Sequence, residues 1–354
     1  MSLINKSNRQ PNLNGLNVKR LENNDESEFV RFYKQAGILN QTLDAFRWQY
    51  LDLPENKLWI SAAEPIDKEM QKKHVFGAIY CLIPRRFLID QKAVLGSLSL
   101  QTLTIVEYQK RGLFIHLAKT CYNSALSEGM SFVYGSPNDN SMPGFIKHLN
   151  WKRLSDPKVH VSIRPFSYLF GKLGLRKRKI INDIKIRLIK GYHDPLNFLW
   201  DKFKTGIKIS AVRDAAFWNW RYLQQPKSTD RVFVLEDMQG IPFASCAIGK
   251  REKKEGKRGY ILDFMVDPSK KKEGIALLDW CVSLLSMEGC LLVVTCVSEG
   301  NAYKKILKHA RFFPIPKYFN TPGPRLAMTV CNPEFEFLES RTKDWHVTYG
   351  DFDV

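Results

Sequence analysis

Apolar and polar positions along this chain follow a set order of patterns, and that order occurs twice. Residues 46–54 (FRWQYLDLP) close a stretch with helical apolar spacing; Pro54 breaks it, and a strand-like run follows at residues 58–65 (LWISAAEP). Residues 218–226 (WNWRYLQQP) repeat the arrangement. Trp220 stands for Trp48, Tyr222 for Tyr50, Leu223 for Leu51 and Pro226 for Pro54 at one constant offset, with a strand-like run behind at residues 232–237 (VFVLED). Each copy then has a long strand pattern, at residues 98–106 (LSLQTLTIV) after Gly96-Ser97 and at residues 260–266 (YILDFMV) after Gly259. A turn and a helix pattern come next, ending in Ser127-Glu128-Gly129 and in Met287-Glu288-Gly289. Short apolar strands follow at residues 132–134 and 291–294. The last block is a second helix pattern, residues 145–151 (FIKHLNW) and 306–312 (ILKHARF), where Lys147-His148 matches Lys308-His309.

Helix–proline–strand punctuation recurs in any α/β chain and explains one such match; three matches in the same order point to one α/β unit duplicated in tandem. The expected boundaries are a first unit at residues 1–166, a basic connector with helices at 167–208 and a second unit at 209–354. The first unit carries an extra strand and helix at its start, at residues 16–21 and 26–36. A final strand at residues 325–331 (RLAMTVC) is expected to close the second unit. The tail, residues 344–354 (DWHVTYGDFDV), reads as a free acidic segment or one resting on a basic surface. His346, Asp351 and Asp353 in it are metal-ligand types, but no metal is expected.

Composition narrows what such a chain does. No stretch approaches the roughly 20 uninterrupted apolar residues of a membrane-spanning helix. The polar start, MSLINKSNRQPNLNG, lacks the apolar core of a secretory signal, so the expected compartment is the cytoplasm. The seven cysteines are odd in number, form no Cys-x-x-Cys pair and sit in apolar runs, which reads as buried free thiols. The formal charge of +18 favours anionic partners: nucleic acid, an anionic membrane surface, or a phosphate-bearing cofactor or nucleotide-linked substrate. Positive charge concentrates at residues 250–258 (KREKKEGKR), which reads as a solvated hairpin loop, and at residues 173–190. The latter alternates bases with Ile and Leu, and offers a surface for peripheral membrane contact or serves as a solvated connector. Lys and Arg fall in loops without interleaved aromatic residues, which argues against a single-strand nucleic-acid groove.

The most chemical segment is residues 104–117 (TIVEYQKRGLFIHL). A strand runs into Gln109, Lys110, Arg111, Gly112, Leu113 and Phe114, and a helix pattern begins there. Gly112 lets a ligand approach the backbone closely. Free N–H groups at a helix start, together with the helix dipole, favour an anion. None of these six residues is proline, so every N–H is available, and Lys110 and Arg111 add charge. The turn is not a Walker loop, because G-x-x-x-x-G-K-[ST] is absent.

This turn resembles the pyrophosphate loop of the GNAT N-acyltransferases, Gln/Arg-x-x-Gly-x-Gly/Ala, with Gln109 and Gly112 in place and Phe114 where the family has a small residue. The second copy reads Lys271, Lys272, Glu273, Gly274, Ile275, Ala276; its first position is Lys, and Glu273 would face the phosphates. The tandem layout and the ending Trp345, Gly350, Asp351, Asp353 are similar to GNAT-like proteins of bacterial surface-polysaccharide clusters. The resemblance implies an α/β fold of two GNAT-like units, each a mixed, mostly antiparallel central sheet flanked by helices. It implies acetyl-CoA or another acyl-CoA as co-substrate, bound by the first unit. Backbone groups of Thr104, Ile105 and Val106 would pair with the pantetheine arm. Residues 109–114 would hold the pyrophosphate, and Asn138 would lie near the pantetheine or thioester.

Amine acylation needs a base for the ammonium proton and an acid near the leaving thiolate. The family often uses a carboxylate on the fourth strand and a tyrosine in a later helix. The first unit's strand has no carboxylate before Glu107, and its later helix has His148 but no tyrosine; the twin, His309, gives that position a packing reading too. The second unit offers Asp263 in mid-strand and Tyr303 at a helix start. Tyr50, Tyr222, Trp48 and Trp220 are core residues or line an acceptor groove. The leading expectation is an N-acyltransferase acting on an amine, such as an amino sugar on an anionic carrier. A non-catalytic binding protein on the same scaffold and a nucleic-acid-binding protein are the rival readings.

Overall fold

A computed structural model of the chain describes residues 11–172, 185–254, 256–315 and 323–352. By contacts these residues form two compact units. Part of the basic run, residues 173–184, and Asp353 lie outside the described residues.

Unit 1 is built on a sheet of strands β1 (Leu16–Arg20), β2 (Trp59–Pro65), β3 (Ala78–Ile89), β4 (Lys92–Thr104), β5 (Phe132–Gly135) and β6 (Lys152–Arg153), joined by β15 (Ala327–Val330). Their spatial order is β1-β2-β3-β4-β5-β15-β6. β1–β2 and β2–β3 are antiparallel, whereas β4 and β5 are parallel and linked by helix α4 (Leu113–Ser127). A parallel pair needs such a crossover. Helix α1 (Glu26–Gln35) buries Phe29, Val30, Phe32 and Tyr33 at helical spacing. α4 stops at Glu128 because Gly129 takes φ +95°, which a side chain resists.

Unit 2 repeats this plan. Its sheet contains β7 (Lys158–Ile163), β8 (Lys185–Ile189), β10 (Arg231–Glu236), β11 (Pro242–Lys253), β12 (Gly256–Val266), β13 (Leu292–Val297) and β14 (Phe313–Pro314), in the order β14-β7-β13-β12-β11-β10-β8. Helix α9 (Lys271–Met287) links the parallel pair β12–β13 and ends at Glu288-Gly289, with Gly289 again at φ +95°. The Trp-bearing block is repeated to the level of backbone type. Short helix α2 (Leu43–Phe46), capped by Thr42, runs into a π-helical turn at Arg47–Leu51. Short helix α8 (Ala215–Trp218), capped by Asp214, runs into a π-helical turn at Asn219–Leu223. π-turns are rare enough that two at matching places strengthen the repeat.

Several expectations are corrected. The strand expected to close the second unit, β15, pairs antiparallel with β5 and β6 in unit 1. The corresponding place in the second sheet, between β13 and β14, is taken by β7, which follows β6 in sequence. The two sequence halves thus trade one strand each. Next, the stretch expected to be a connector contributes β8, antiparallel to β10, and helix α7 (Pro195–Phe203). These are the counterparts of β1 and α1, so both copies start with a strand and a helix.

Finally, the tail is not free. Strand β16 (Trp345–His346) pairs parallel with β9 (Ile209–Ala211), and Trp345, His346, Val347, Tyr349, Asp351 and Phe352 are all buried. Apolar side chains at these positions favour burial by about 1.5–3 kcal/mol each, which outweighs the tail's acidic character. All seven cysteines are buried free thiols, and no described helix is long and apolar enough to cross a membrane. The basic run at residues 250–258, expected to be a hairpin loop, is mostly strand: the β11–β12 ladder runs through it from Lys250↔Gly259 to Lys253↔Gly256.

Candidate functional site

β4 and β5 are paired only from Gly96↔Phe132 to Leu98↔Tyr134. Beyond Leu98 they diverge. Gln101 takes a left-handed backbone (φ +54°) inside β4, which interrupts a regular ladder. Three side chains hold it there: Tyr33 Oη donates to the Gln101 carbonyl at 2.6 Å, Tyr50 Oη donates to Gln101 Oε1 at 2.9 Å, and Gln101 Nε2 donates to Gln41 Oε1 at 3.2 Å. The divergence opens two adjoining clefts in unit 1 that share Thr102 and Ser141.

The first cleft, about 390 Å³, is lined by Thr102–Thr104 of β4, by Tyr108, Gln109, Lys110, Gly112, Leu113, Phe114 and Ile115, and by Asn140, Ser141 and Gly144. Gly112 (φ +78°) is the residue before α4 and makes the left-handed turn that β-carbon-bearing residues resist. Helix α5 (Met142–Leu149) also begins at this cleft. Its entry is fixed by Asn138, whose Oδ1 accepts from the backbone N–H groups of Asn140 and Ser141 at 3.1 and 2.9 Å. Two helix starts therefore face one cleft, and with the Lys110 ammonium they give it anion-binding character.

The second cleft, about 240 Å³, is lined by Ser99, Leu100, Gln101, Thr102, Gly135, Ser136, Pro137, Asn138, Ser141, Phe145 and Trp151. Among the described residues, no carboxylate or histidine lines either cleft. The polar groups there are hydroxyls and amides.

Thr104, Gln109, Lys110, Gly112, Leu113 and Phe114 thus line one cleft, and Asn138 lines its neighbour. Phe114 stands where the loop pattern has a small residue, and its ring lies between Tyr80 and Phe145 at centroid distances of 5.8 and 5.0 Å. Three expected residues lie elsewhere. Arg111 is turned to the N-terminal segment, where its guanidinium donates to the carbonyls of Asn12 and Asn14. The Ile105 N–H donates to the Gly77 carbonyl, and Val106 begins a short 3-10 turn that continues to Tyr108. The stretch of β4 that borders the clefts is Ser99–Thr104, and of the three residues that the resemblance assigns to the pantetheine arm Thr104 alone belongs to it.

The candidate acid–base residues are not at the clefts. His148 lies on α5, and its Nδ1 is buried with no hydrogen-bond partner among the described residues. Asp263 and Tyr303 are both 0% exposed in unit 2. Arg213 Nε donates to both Asp263 oxygens at 3.1 and 2.9 Å, Tyr222 Oη donates at 3.2 Å, and Arg213 also binds Asp351 of the tail. Burial pushes the Asp263 carboxyl up to about 6 against the pull of Arg213. The Tyr303 hydroxyl is buried without a partner among the described residues, and burial raises its pKa well above the usual value. Tyr50, Tyr222 and Trp220 are likewise buried, as core.

In unit 2 the gap beside β12 is filled by the tail. Tyr349 stacks edge-on against Tyr260 at 5.6 Å, and Asp351 and Thr348 reach Arg213. On the other side, Ser298 Oγ donates to the Trp345 carbonyl and accepts from the Val347 N–H, and the Ala302 N–H donates to His346 Nδ1 at 3.2 Å. The β12–α9 turn also departs from a phosphate cradle. Gly274 serves there for helix–strand contact, since a Cβ on it would come within 2.5 Å of Val266. Among the described residues no group of three or more His, Cys, Asp or Glu is placed to hold a metal.

Comparison with solved structures finds the same fold. A GCN5-related N-acetyltransferase from Anabaena variabilis ATCC 29413 matches with a TM-score of 0.63 at 9% identity, over 90% of this chain and 73% of that one. A probable N-acyltransferase from Enterococcus faecalis V583 matches with a TM-score of 0.62 at 7% identity, over 90% and 72%. Saccharomyces cerevisiae N-myristoyltransferase with bound myristoyl-CoA matches with a TM-score of 0.58 at 11% identity, over 92% and 84%. No protein-family model matches the sequence, and neither does any curated protein. The chain shares the α/β fold of these N-acyltransferases.

Proposed function

We propose that this protein is an acyl-CoA-dependent N-acyltransferase whose cofactor cleft belongs to unit 1. One observation carries the reading. A strand–Gly112–helix turn, two helix starts and a stretch of β4 unpaired with β5 enclose one continuous pair of clefts. Such a site suits a ligand with a pyrophosphate at one end and an extended amide-bearing arm at the other: free N–H groups and Lys110 meet the phosphates, and strand backbone meets the amides. The structural neighbour with bound myristoyl-CoA supports acyl-CoA as the donor. Acetyl is the acyl group we propose first. The acceptor is an amine on an anionic carrier, of which an amino sugar used in surface polysaccharide synthesis is the first candidate, because a chain of net charge +18 attracts anions. The proposed setting is cytoplasmic, with peripheral contact to an anionic membrane through the basic run near residue 173.

In the reaction the neutral amine adds to the thioester carbonyl and the C–S bond breaks with its electron pair going to sulfur. The ammonium proton leaves through water, since among the described residues no carboxylate or histidine lines the clefts. That same absence favours a second reading, a binding protein that holds acyl-CoA without transferring the acyl group.

Calorimetric titration of acetyl-CoA into the protein and into Gly112→Glu tests the proposal. Binding by the wild type and its loss in the variant support it, because the new carboxylate would sit at the phosphate end. Absence of binding by the wild type overturns both readings. Binding without release of CoA across a panel of amines leaves the second.

A further inference from the structure

Tyr80, in β3, and Tyr122, in α4, are buried side by side beneath the second cleft. Tyr80 Oη lies 2.8 Å from Ser99 Oγ and 2.7 Å from Tyr122 Oη, and Trp151 Nε1 donates to Tyr122 Oη at 3.1 Å. Ser99 and Trp151 both line the cleft. Four side chains thus form one hydrogen-bonded file that ends at the cleft wall.

The direction of that file follows from the chemistry of its first member. An indole N–H only donates, so Tyr122 must accept from Trp151. The Tyr122 hydrogen then has one partner, Tyr80, and the Tyr80 hydrogen in turn goes to Ser99 Oγ. The reverse direction would aim both Trp151 and Tyr80 at the Tyr122 oxygen and leave the Tyr122 hydrogen unbonded in the core. A buried donor left without a partner carries its full desolvation penalty, which disfavours that direction. Burial holds both phenols far above their usual pKa, so neither ionises and the order persists at neutral pH. Ser99 Oγ is therefore always an acceptor towards Tyr80, and its own hydrogen is free for the cleft. Ser99 is the first residue of β4 past the β5 pairing, half-exposed, where an arm laid along Ser99–Thr104 from the Gly112 turn would end.

Resting on the acyl-CoA reading, we infer that Ser99 is the hydrogen-bond donor to the thioester carbonyl oxygen, oriented by Tyr80, Tyr122 and Trp151. When the amine adds, the C=O electron pair moves onto that oxygen, and the Ser99 hydroxyl meets the charge; when the C–S bond breaks, the pair returns to carbon and the thiolate leaves. No proton leaves Ser99. A preorganised donor of this kind is worth about 100-fold to 1,000-fold in rate. Tyr80, Tyr122 and Trp151 are positioning residues.

The test reads the hydrogen bond itself. Infrared difference spectra of acetyl-CoA labelled with carbon-13 at the carbonyl are recorded bound to the wild type, Ser99→Ala, Ser99→Thr and Tyr80→Phe, with calorimetry on each. The expected result is a carbonyl band shifted to lower frequency in the wild type and kept in Ser99→Thr. The shift is lost in Ser99→Ala, with the dissociation constant changed less than about 10-fold, and weakened and broadened in Tyr80→Phe. A wild-type band at the position of free acetyl-CoA, or a shift that survives Ser99→Ala, overturns the inference while leaving the acyl-CoA reading intact. Failure of the wild type to bind acetyl-CoA overturns both. Should Ser99→Ala fail to fold, Tyr80→Phe alone decides, an unchanged band counting against the inference.

Discussion

Gln101 and Asp263 stand at the same place on the two long strands, each accepting a hydrogen bond from the tyrosine of the repeated Trp-x-Tyr-Leu block, Tyr50 and Tyr222. In unit 1 the neutral amide borders an open cleft. In unit 2 the carboxylate carries a charge into the core, and Arg213 answers both it and the Asp351 carboxylate. Removing the guanidinium would leave two buried carboxylates uncompensated, so Arg213→Ala should destabilise the fold by about 3–5 kcal/mol, read by urea denaturation. A pH dependence follows as well. The folded carboxyl keeps its proton up to about 6, whereas an ordinary one loses it near 3.8. Asp263's contribution is therefore fully present below that lower value and is lost as pH rises through 6. Relative to the wild type, Asp263→Asn should gain stability from pH 4 to pH 7; a difference that stays flat would mean that the carboxyl is not raised. From sequence, Asp263 looked like a base because its type and strand position fit one. Its burial depends on Arg213 and on the tail, both far off along the chain.

At the scale of elements, the Pro-punctuated helices, the long strands and the Gly112 turn were readable because each rests on local spacing, and the repeat was readable because those local patterns recur in the same order. What was not readable is long-range pairing. β7 and β15 have the same alternation whichever sheet they enter, and nothing local says that each joins the sheet of the other sequence half. The clefts were likewise read only in part: the turn is local, but the end of β4–β5 pairing at Leu98 depends on Gln101 and its tyrosine partners. The traded strands make a prediction about fragments. A piece covering residues 1–154 lacks both β15 and its counterpart β7, so β5 presents an open edge carrying Phe132 and Tyr134, which are buried in the full chain. Open apolar edges pair with other chains. That piece should elute as oligomers in size-exclusion chromatography, and supplying residues 325–342 on a linker should shift it towards monomer. A monomeric fragment 1–154 would show that β15 is dispensable to the first sheet.

For the molecule as a whole, two copies of one unit suggest two ligands, but the structure gives them different fates. Unit 1 keeps the clefts beside β4. Unit 2 has placed Trp345–Phe352 where the corresponding gap would be, and pins it through Arg213, Ser298 and Ala302. Its strand–helix turn has changed too: Pro268 lacks an N–H, Asp267 accepts from the Ser269 N–H and hydroxyl, and Glu273 adds a carboxylate to the first turn of α9. Pyrophosphate there would meet negative charge and fewer donors. Even a variant that loosens the tail should gain no second site. Titration of acetyl-CoA should end at one equivalent per chain in the wild type, and should still end at one in Trp345→Ala, which removes a buried side chain of the tail. A second equivalent appearing in that variant would mean that the tail alone closes the second unit, and that the altered turn can still cradle phosphate.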